Sequence, residues 1–299
     1  MHTIIRILSL PIAIVVVSVG TFSAQTQSQL PVKYEELTAP EFVQAVSLSG
    51  GVCVIPLGIL EKHGPHLPLG TDLLIARDAV LRAVQKEYAV VFPQYYFGEI
   101  YEAKHQPGVI AYSPELVWNI LQETCDELAR NGMKKIILVS GHGGNNYFLP
   151  YFCQSQLAER KDYSVILYSP AADTAIEKKM RALQKTASDG HAGELETSAI
   201  ALSRPDLAHA DRARMQSGDD MARLSHLTNL YTAIWWYARF PNHYLGDGSV
   251  VNKELAEVWL ATESDKIARL IRDVKKDTTI HQLQNIFFDQ SENPLKTKQ

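Results

Sequence analysis

The stretch Gly51-Val-Cys-Val-Ile-Pro-Leu-Gly58 decides the fold class of this chain. It is an apolar run bounded by glycines, which is typical of a strand that is buried on both faces of a sheet. Three further apolar runs cover residues 88–93, 134–140 and 163–168. Helical patterns separate these four runs. Strands that alternate with helices predict a single α/β domain, with a mostly parallel central sheet and helices on both of its faces.

The predicted helices have recognisable ends. Thr38 precedes an acidic first turn and is typical of an N-cap. Ser113 followed by Pro114 predicts another helix start, and Asn131-Gly132 predicts a left-handed C-cap after it. A helix over residues 145–159 requires Pro150 to lie in its first turn. The helices predicted around the strands cover residues 38–47, 73–84, 113–130 and 145–159.

The composition excludes several classes of protein. The chain has 299 residues, of which 46% are hydrophobic and 21% charged, and its net charge is −4. Collagen-like, coiled-coil and disordered chains have different compositions. A mildly acidic chain gives no electrostatic reason to expect a nucleic-acid partner. The chain has ten His and only three Cys, at 53, 125 and 153. A disulfide framework or Cys-rich zinc site is therefore excluded, buried thiols are expected at Cys53 and Cys125, and any metal ligands would be imidazoles and carboxylates.

Residues 1–24 are predicted to be a secretory signal peptide. Arg6 precedes an uncharged run over residues 7–22, and the small residues Ser23-Ala24 follow. This run is shorter than the roughly 20 residues of a membrane span. An uncleaved N-terminal anchor is the alternative. The prediction is a periplasmic or secreted protein that has no membrane association when mature, with its domain over residues 34–285 and a polar C-terminal tail over 286–299.

The loop after the first strand contains candidate metal ligands. Its sequence is Glu61-Lys-His63-Gly-Pro-His66-Leu-Pro-Leu-Gly-Thr-Asp72. Residues two apart in an extended backbone point the same way, so Glu61 and His63 can reach one point. Asp72 returns at the start of the next helix, where a carboxylate suits the positive end of the helix dipole. Two carboxylates and an imidazole suit a divalent transition metal, although a polar loop with a capping Asp would look the same.

Two further segments are rich in residues of the same kind. Ser140-Gly-His142-Gly-Gly-Asn-Asn146 follows the third strand, so His142 is expected at the carboxyl edge of the sheet. The glycines could instead cradle a phosphate, but the loop lacks the Lys of a P-loop. Gly190-His191-Ala-Gly-Glu194-Leu-Glu196-Thr-Ser198 leads into a helix. Glu194 and Glu196 are about 200° apart on a helix and are not expected to face one metal. An acidic helix start would explain these glutamates but not His191.

Taken together, the three segments resemble the creatininase family of metal-dependent amidohydrolases. Weaker similarities are His105-Gln-Pro-Gly108 and Leu245-Gly-Asp-Gly248, and the resemblance covers roughly residues 34–275. It implies a single α/β domain that assembles into homo-oligomers, often hexamers. It also implies a site with two divalent metal ions, of which zinc is favoured and manganese or iron are the alternatives.

The resemblance also implies a role for individual residues. Glu61 and His142 would bind one metal, His63 would bind the other, and Asp72 would bridge them. Creatininase carries a Glu two residues after the ligand His, where this chain has Gly144. We therefore expect Glu194 to supply the missing carboxylate at the catalytic site, with Glu196 as its competitor.

The expected reaction is attack of a metal-activated water on an amide. His191 would carry a proton to the leaving nitrogen, because an imidazole titrates near neutral pH. Residues expected to contact substrate or support the site are His66, His105, Gly143, Gly144 and Asn145. For Tyr231–Tyr237, a buried core helix is favoured over a pocket wall. The remaining histidines at 209, 226, 243 and 281 are interpreted as surface or packing residues.

The predicted function is hydrolysis of a non-peptide C–N bond in a cyclic or linear amide, with creatinine as one candidate substrate. One alternative keeps the fold and the metals but acts on a peptide or formyl-amide group. Another is a periplasmic metal-binding or solute-binding protein without turnover. Hydrolysis of an amide by the metal-loaded protein would distinguish the two enzyme hypotheses from the binding protein.

Overall fold

A computed structural model describes residues 30–297 of the chain. The predicted signal peptide at 1–24 and the end of the predicted tail lie outside the described residues. Within residues 30–297, no helix combines the length and the apolar character that crossing a bilayer requires.

The centre of the fold is a parallel sheet of four strands in the order β2-β1-β3-β4. The strands are Val52–Leu57 (β1), Val90–Val91 (β2), Lys135–Ser140 (β3) and Ser164–Leu167 (β4). All four predicted strands are present, although β2 is shorter than the predicted 88–93. The sheet and the helices around it confirm the predicted α/β class.

Nine α-helices occur in the described residues. They are Ala39–Leu48 (α1), Thr71–Val84 (α2), Pro114–Arg130 (α3), Asn145–Ser155 (α4), Thr174–Leu183 (α5), Glu194–Ser203 (α6), Trp235–Arg239 (α7), Lys253–Lys276 (α8) and Thr279–Ser291 (α9). The predicted caps are present, since Ser113 Oγ accepts the Leu116 N–H and the Glu41 carboxylate accepts the Thr38 N–H. The predicted start of the tail at residue 286 lies inside α9.

Pro150 lies deeper in α4 than the sequence predicts. It occupies the second turn of the helix rather than the first. Proline lacks the N–H that would bond to the carbonyl four residues earlier, here that of Asn146. The bond is lost close to the start of the helix, and α4 ends at Ser155 rather than at the predicted 159.

Side chains that alternate along the strands pack against helices on opposite faces of the sheet. On β1, Cys53, Ile55 and Leu57 pack toward the side that holds α1, α3 and α4. Val52 and Val54 pack toward α2 and α8. Cys53 and Cys125 are buried free thiols, as predicted. Both faces of the central strand are therefore covered, which explains its continuous apolar sequence.

The start of α2 is held against the carboxyl ends of the two central strands. Leu57 and Ser140 are register partners, so the loops after β1 and β3 leave the sheet at the same edge. A Cβ on Gly58 would lie 2.3 Å from the Leu73 backbone nitrogen, and one on Gly141 would lie 2.3 Å from the Asp72 carbonyl oxygen. Only glycine permits this approach. It brings Asp72 to the point where both loops begin.

Candidate metal centre

The first group of candidate ligands combines Glu61, Asp72 and His142. His142 Nδ1 lies 2.9 Å from Glu61 Oε1 and 3.1 Å from Asp72 Oδ2. All three side chains are buried. Among residues 30–297, nothing offers Glu61 Oε1 or Asp72 Oδ2 a partner with hydrogen-bond geometry. Buried charged oxygens without such partners are costly, and a metal cation would satisfy both of them.

The second group combines His63, Asp72 and Glu196. His63 Nε2 lies 2.9 Å from Asp72 Oδ1 and 3.8 Å from Glu196 Oε2. Asp72 therefore directs one oxygen toward His63 and the other toward His142. The structure brings together the predicted residues Glu61, His63, Asp72 and His142, with Asp72 in the bridging position.

The electrostatics of both groups favour bound positive charge. Burial alone would lower the pKa of His63, but nearby carboxylates, led by Asp72, outweigh it and raise the pKa to about 10. The pKa of His142 is raised well above its usual range despite burial, chiefly by the charge of Glu61. Burial would raise the pKa of Glu61, yet the charge of His142 and the hydrogen bonds from His142 and His243 hold it well below its usual range. Imidazoles that bind protons this tightly lie where metal cations would also be held.

Glu194 is not part of the cluster, which corrects the preference for it over Glu196. Its carboxylate is buried, and it accepts hydrogen bonds from the backbone N–H groups of Lys185 (2.9 Å) and Thr186 (2.6 Å) and from Asn252 Nδ2 (2.8 Å). These bonds hold its pKa below the usual range although burial opposes them. Through these hydrogen bonds, the Glu194 carboxylate connects loop 184–186 to the start of α8. Glu196 supplies the oxygen near His63, so Glu194 has no catalytic position here.

His191 lies against the cluster, and its ring tautomer is fixed. Its Nε2 lies 2.8 Å from the Lys62 carbonyl oxygen, so Nε2 carries the hydrogen and Nδ1 keeps a lone pair. The ring packs over His63, with 4.2 Å between the centroids. Burial and the positive charge of His63 lower its pKa well below the usual value. His191 is therefore neutral near pH 7 and can accept a proton.

His243 belongs to the site, which the sequence analysis missed. Trp236 Nε1 donates to His243 Nδ1 at 2.8 Å, so the hydrogen of the ring is on Nε2. His243 Nε2 donates to Glu61 Oε2. This bond orients the carboxylate so that its other oxygen faces His142. The one available sequence signal was the position of His243, two residues before the weakly matching segment Leu245-Gly-Asp-Gly248.

A cavity of about 570 Å³ opens onto the cluster. Its wall includes Gly143 and Gly144 from the loop after β3, and Tyr231, Trp235 and Trp236 from the aromatic segment. The buried-helix interpretation of Tyr231–Tyr237 is therefore wrong, because Tyr231 is 70% exposed and α7 covers only Trp235–Arg239. Aromatic side chains therefore line part of the cavity, and Trp236 packs directly against His191 and His243.

Three predicted substrate contacts are not among the residues lining this cavity. His66 is buried behind it, where Nε2 contacts Thr197 Oγ1 at 2.9 Å and burial lowers its pKa to about 4. His105 Nε2 donates to the Pro241 carbonyl at 2.9 Å. Asn145 donates to Ser140 Oγ at 3.2 Å and accepts the Glu99 N–H at 3.3 Å. These side chains support loops around the site.

Two glutamates that the sequence analysis did not select line the same cavity. Glu99 and Glu102 lie beside His142, and the three residues offer ligand atoms within 4.8 Å of one another. Burial and the adjacent charge of Glu99 raise the pKa of Glu102 to about 7. The nearest sequence signal was His105-Gln-Pro-Gly108, which begins three residues after Glu102.

Comparisons with known proteins point to a single family. The sequence profile described as Creatininase, creatinine amidohydrolase, matches residues 35–271. Creatinine amidohydrolase of Pseudomonas putida is 27% identical over 197 residues, which are 59% of this chain and 74% of that protein. Mycofactocin precursor peptide peptidase of Mycobacterium ulcerans is 27% identical over 215 residues, covering 69% and 73% of the two chains.

Solved structures show the same fold. The crystal structure of a creatinine amidohydrolase (creatininase) has a TM-score of 0.71 and 23% identity, and the match covers 84% of this chain and all of that one. Similar solved creatininases include one of Zn-Zn type and one described as creatininase Mn, with TM-scores of 0.68 and 0.67. The fold inferred from the sequence motifs is confirmed.

Proposed function

The chain belongs to the creatininase family of hydrolases, and on that premise we propose that it is a metal-dependent amidohydrolase that cleaves a non-peptide C–N bond. The substrate class is a small cyclic or linear amide, with creatinine as one candidate. One observation carries this proposal. The two oxygens of Asp72 divide between two ligand groups, Glu61 with His142 and His63 with Glu196.

The residues present fit a pair of divalent cations. The unpartnered buried oxygens of Glu61 and Asp72 and the imidazoles beside them are borderline and hard donors of the kind that zinc, manganese and iron accept. Zinc is our first choice, because imidazole and carboxylate together are common zinc ligands. Bound there, the ions would lower the pKa of a water toward neutrality and polarise the amide carbonyl.

The chain's own residues would provide the remaining steps. His243 holds the Glu61 carboxylate, so the ligand oxygen is oriented before substrate arrives. His191 is neutral and has a free Nδ1, so it can take a proton and return it to the leaving nitrogen. The wall formed by Trp235 and Trp236 excludes water from one side of the cavity and can pack against a planar amide.

A peptidase or deformylase on the same fold is the second candidate. Its support is the mycofactocin precursor peptide peptidase of Mycobacterium ulcerans, which has the same 27% identity to this chain as the creatinine amidohydrolase. The cavity of about 570 Å³ lies in the usual range for small-molecule sites, and the aromatic side chains narrow it. These dimensions favour a small amide over an extended peptide.

The test combines metal analysis with a substrate panel. Protein reconstituted with Zn²⁺ or Mn²⁺ would be assayed on lactams, formamides and short peptides. We expect hydrolysis of at least one lactam or formamide. His191→Ala should retain metal and lose rate by about 10²- to 10⁴-fold. Hydrolysis of peptides alone would support the peptidase, and full metal content without any hydrolysis would support a binding protein.

We further propose that the protein acts in the periplasm or outside the cell and forms a homo-oligomer, with a hexamer as one candidate. The support is the apolar segment over residues 7–22 and the family's habit of assembly, which the motif resemblance implies. N-terminal sequencing of protein from the periplasmic fraction should begin near Gln25. Sedimentation velocity should give more than a monomer. A chain starting at Met1 in the cytoplasmic fraction, or a monomer, would contradict these two proposals respectively.

A further inference from the structure

The side of His142 that faces away from Asp72 forms a second set of ligand atoms. A Cβ placed on Gly144 would lie 2.4 Å from His142 Nε2, 2.7 Å from Glu99 Oε2 and 3.2 Å from Glu102 Oε1. A carbon atom does not fit at such distances. Gly144 has φ of −60°, a value open to any residue, so the reason for glycine here is space. The space is a cradle bounded by one nitrogen and two carboxylate oxygens.

The nitrogen that faces this cradle has no partner in the described part of the chain. His142 Nε2 is buried and makes no hydrogen bond, and the side chain is only 5% exposed. The other ring nitrogen, Nδ1, faces Glu61 and Asp72. A buried imidazole nitrogen without a partner is unusual, because nearly all buried polar atoms are satisfied. It lies beside Glu99 and Glu102, whose carboxylates repel each other unless a proton or a metal cation lies between them.

We propose that Glu99, Glu102 and His142 Nε2 form an outer binding position for a divalent metal ion, separate from the two inner positions. With an inner ion on Nδ1, the His142 ring would release its remaining N–H hydrogen to solvent water and hold the outer ion as an imidazolate. Two carboxylates and one imidazole are a ligand set for Mn²⁺, Fe²⁺ or Zn²⁺, with water completing the coordination. The three residues offer ligand atoms within 4.8 Å of one another, and the absence of a side chain at Gly144 leaves these atoms accessible.

Two hydrogen bonds hold Glu99 in place. The Tyr101 N–H donates to Glu99 Oε1 at 2.9 Å, which leaves Oε2 for the cradle. Asn145 Oδ1 accepts the Glu99 N–H at 3.3 Å and ties this loop to the start of α4, next to Gly144. Ligand atoms fixed before binding lose less conformational entropy when the ion arrives.

The cradle suits a metal ion better than an organic cation. The ligand atoms of Glu99, Glu102 and His142 lie within 4.8 Å of one another, so the space between them suits a single ion. Metal–ligand distances in such sites are about 2.0–2.2 Å and need only small adjustments of the glutamates. An ammonium or guanidinium group would have to remain in the cavity, beyond the carboxylates.

The test is a Mn²⁺ titration of the metal-free protein, followed by electron paramagnetic resonance. The double variant Glu99→Gln/Glu102→Gln keeps the size of both side chains and removes both charges. It should bind about one Mn²⁺ per chain fewer than the unmodified protein. Glu115→Gln, at the exposed start of α3, is the matched control and should bind as many ions as the unmodified protein. Anomalous scattering from Mn²⁺-soaked crystals of the unmodified protein should show a peak beside His142 Nε2.

Equal Mn²⁺ binding by the double variant and the unmodified protein would overturn the outer position, and so would the absence of the anomalous peak. The inference depends on the proposed function only in placing His142 beside the inner ions. If the unmodified protein binds only two ions per chain and hydrolyses an amide, the outer position is refuted and the proposed function stands. No bound ion and no hydrolysis would refute both proposals. Binding of methylguanidinium at Glu99 and Glu102, in protein that does not bind Mn²⁺ there, would assign the two carboxylates to an organic cation. That result would overturn the metal assignment.

Discussion

At the scale of single residues, Asp72 has the largest predicted effect on metal content. Its two oxygens face His63 and His142 separately, so its charge would serve both inner ions. Asp72→Asn keeps the shape of the side chain and removes that charge. We expect most of the bound metal to be lost on dialysis, as measured by elemental analysis. Asp78→Asn, on the same helix and paired with Arg82 at 3.2 Å, is the matched control. Near-normal metal content in Asp72→Asn would contradict a dinuclear centre.

His243 is predicted to act through Glu61. It donates to Glu61 Oε2 and is itself fixed by Trp236. His243→Ala should weaken metal binding by about 10- to 100-fold, as replacement of a residue that orients a ligand typically does. His243→Gln, which offers a donor of similar reach, should recover part of the affinity. A competition titration with a chromogenic chelator measures both variants, with the exposed His226→Ala as control. Unchanged affinity in His243→Ala would show that Glu61 is positioned by other contacts.

The sequence predicts the inner ligands better than the residues around them. Glu61, His63, Asp72 and His142 lie directly after strands or at a helix start, and parallel strands bring their carboxyl ends to one edge. His243 is 182 residues away from Glu61 along the chain, and a lone His carries no periodic pattern that would bring it back to β1. Glu99 and Glu102 precede only a weak motif. Their proximity to His142 depends on how loop 98–103 folds over the sheet edge, which no local spacing encodes.

At the scale of elements, the start of α6 depends on Glu194 as a structural residue. Glu194→Ala would leave the N–H groups of Lys185 and Thr186 and the amide of Asn252 without their acceptor. Asn252 is buried, whereas Lys185 is exposed and Thr186 is half-buried, so water can replace part of the lost bonding. An unsatisfied buried donor costs about 1–3 kcal/mol, and we expect a loss of this size in the free energy of unfolding. Metal content per folded chain should not change. Urea unfolding and elemental analysis separate the two effects, and loss of metal with unchanged stability would restore Glu194 as a ligand.

The pKa of Glu194 predicts the direction in which acid changes its contribution to the stability of the protein. The pKa of Glu194 is lower in the folded protein than the usual value for glutamate. Its contribution to stability is therefore complete above the pKa of the unfolded chain and is lost as the pH falls through the folded pKa. Glu194→Ala should consequently reduce stability more at pH 7 than at strongly acidic pH.

The choice between Glu194 and Glu196 shows where prediction from sequence ends at this scale. Their angular separation on a helix establishes that only one can face the metal. Which one does so depends on the rotation of α6 about its axis. That rotation follows from the packing of Ala199 and Ile200 against Ile75 and Ala256, on α2 and α8. The strands and the longer helices are predictable because their hydrophobic patterns extend over many residues. The orientation of one helix against its neighbours depends on tertiary packing.

For the whole molecule, the ligand groups connect parts of the chain that are far apart in sequence. Glu61 and His63 follow β1, Asp72 begins α2, His142 follows β3 and Glu196 lies in α6. Bound ions would therefore join four segments around one edge of the sheet. Without them, three carboxylates in this cluster repel one another.

Removal of metal should accordingly lower the melting temperature of the whole domain. A ligand that binds only the folded state at about 100 times its Kd stabilises it by about 2.7 kcal/mol. One kcal/mol shifts the melting temperature of a domain of this size by about 2–4 °C, so chelation should lower it by roughly 5–10 °C. Differential scanning calorimetry with and without chelator measures this shift, and excess Zn²⁺ should reverse it. Asp72→Asn should respond much less, because it already lacks the bridging carboxylate. An equal melting temperature for the unmodified protein in both conditions would mean that the ions are not part of its folded framework.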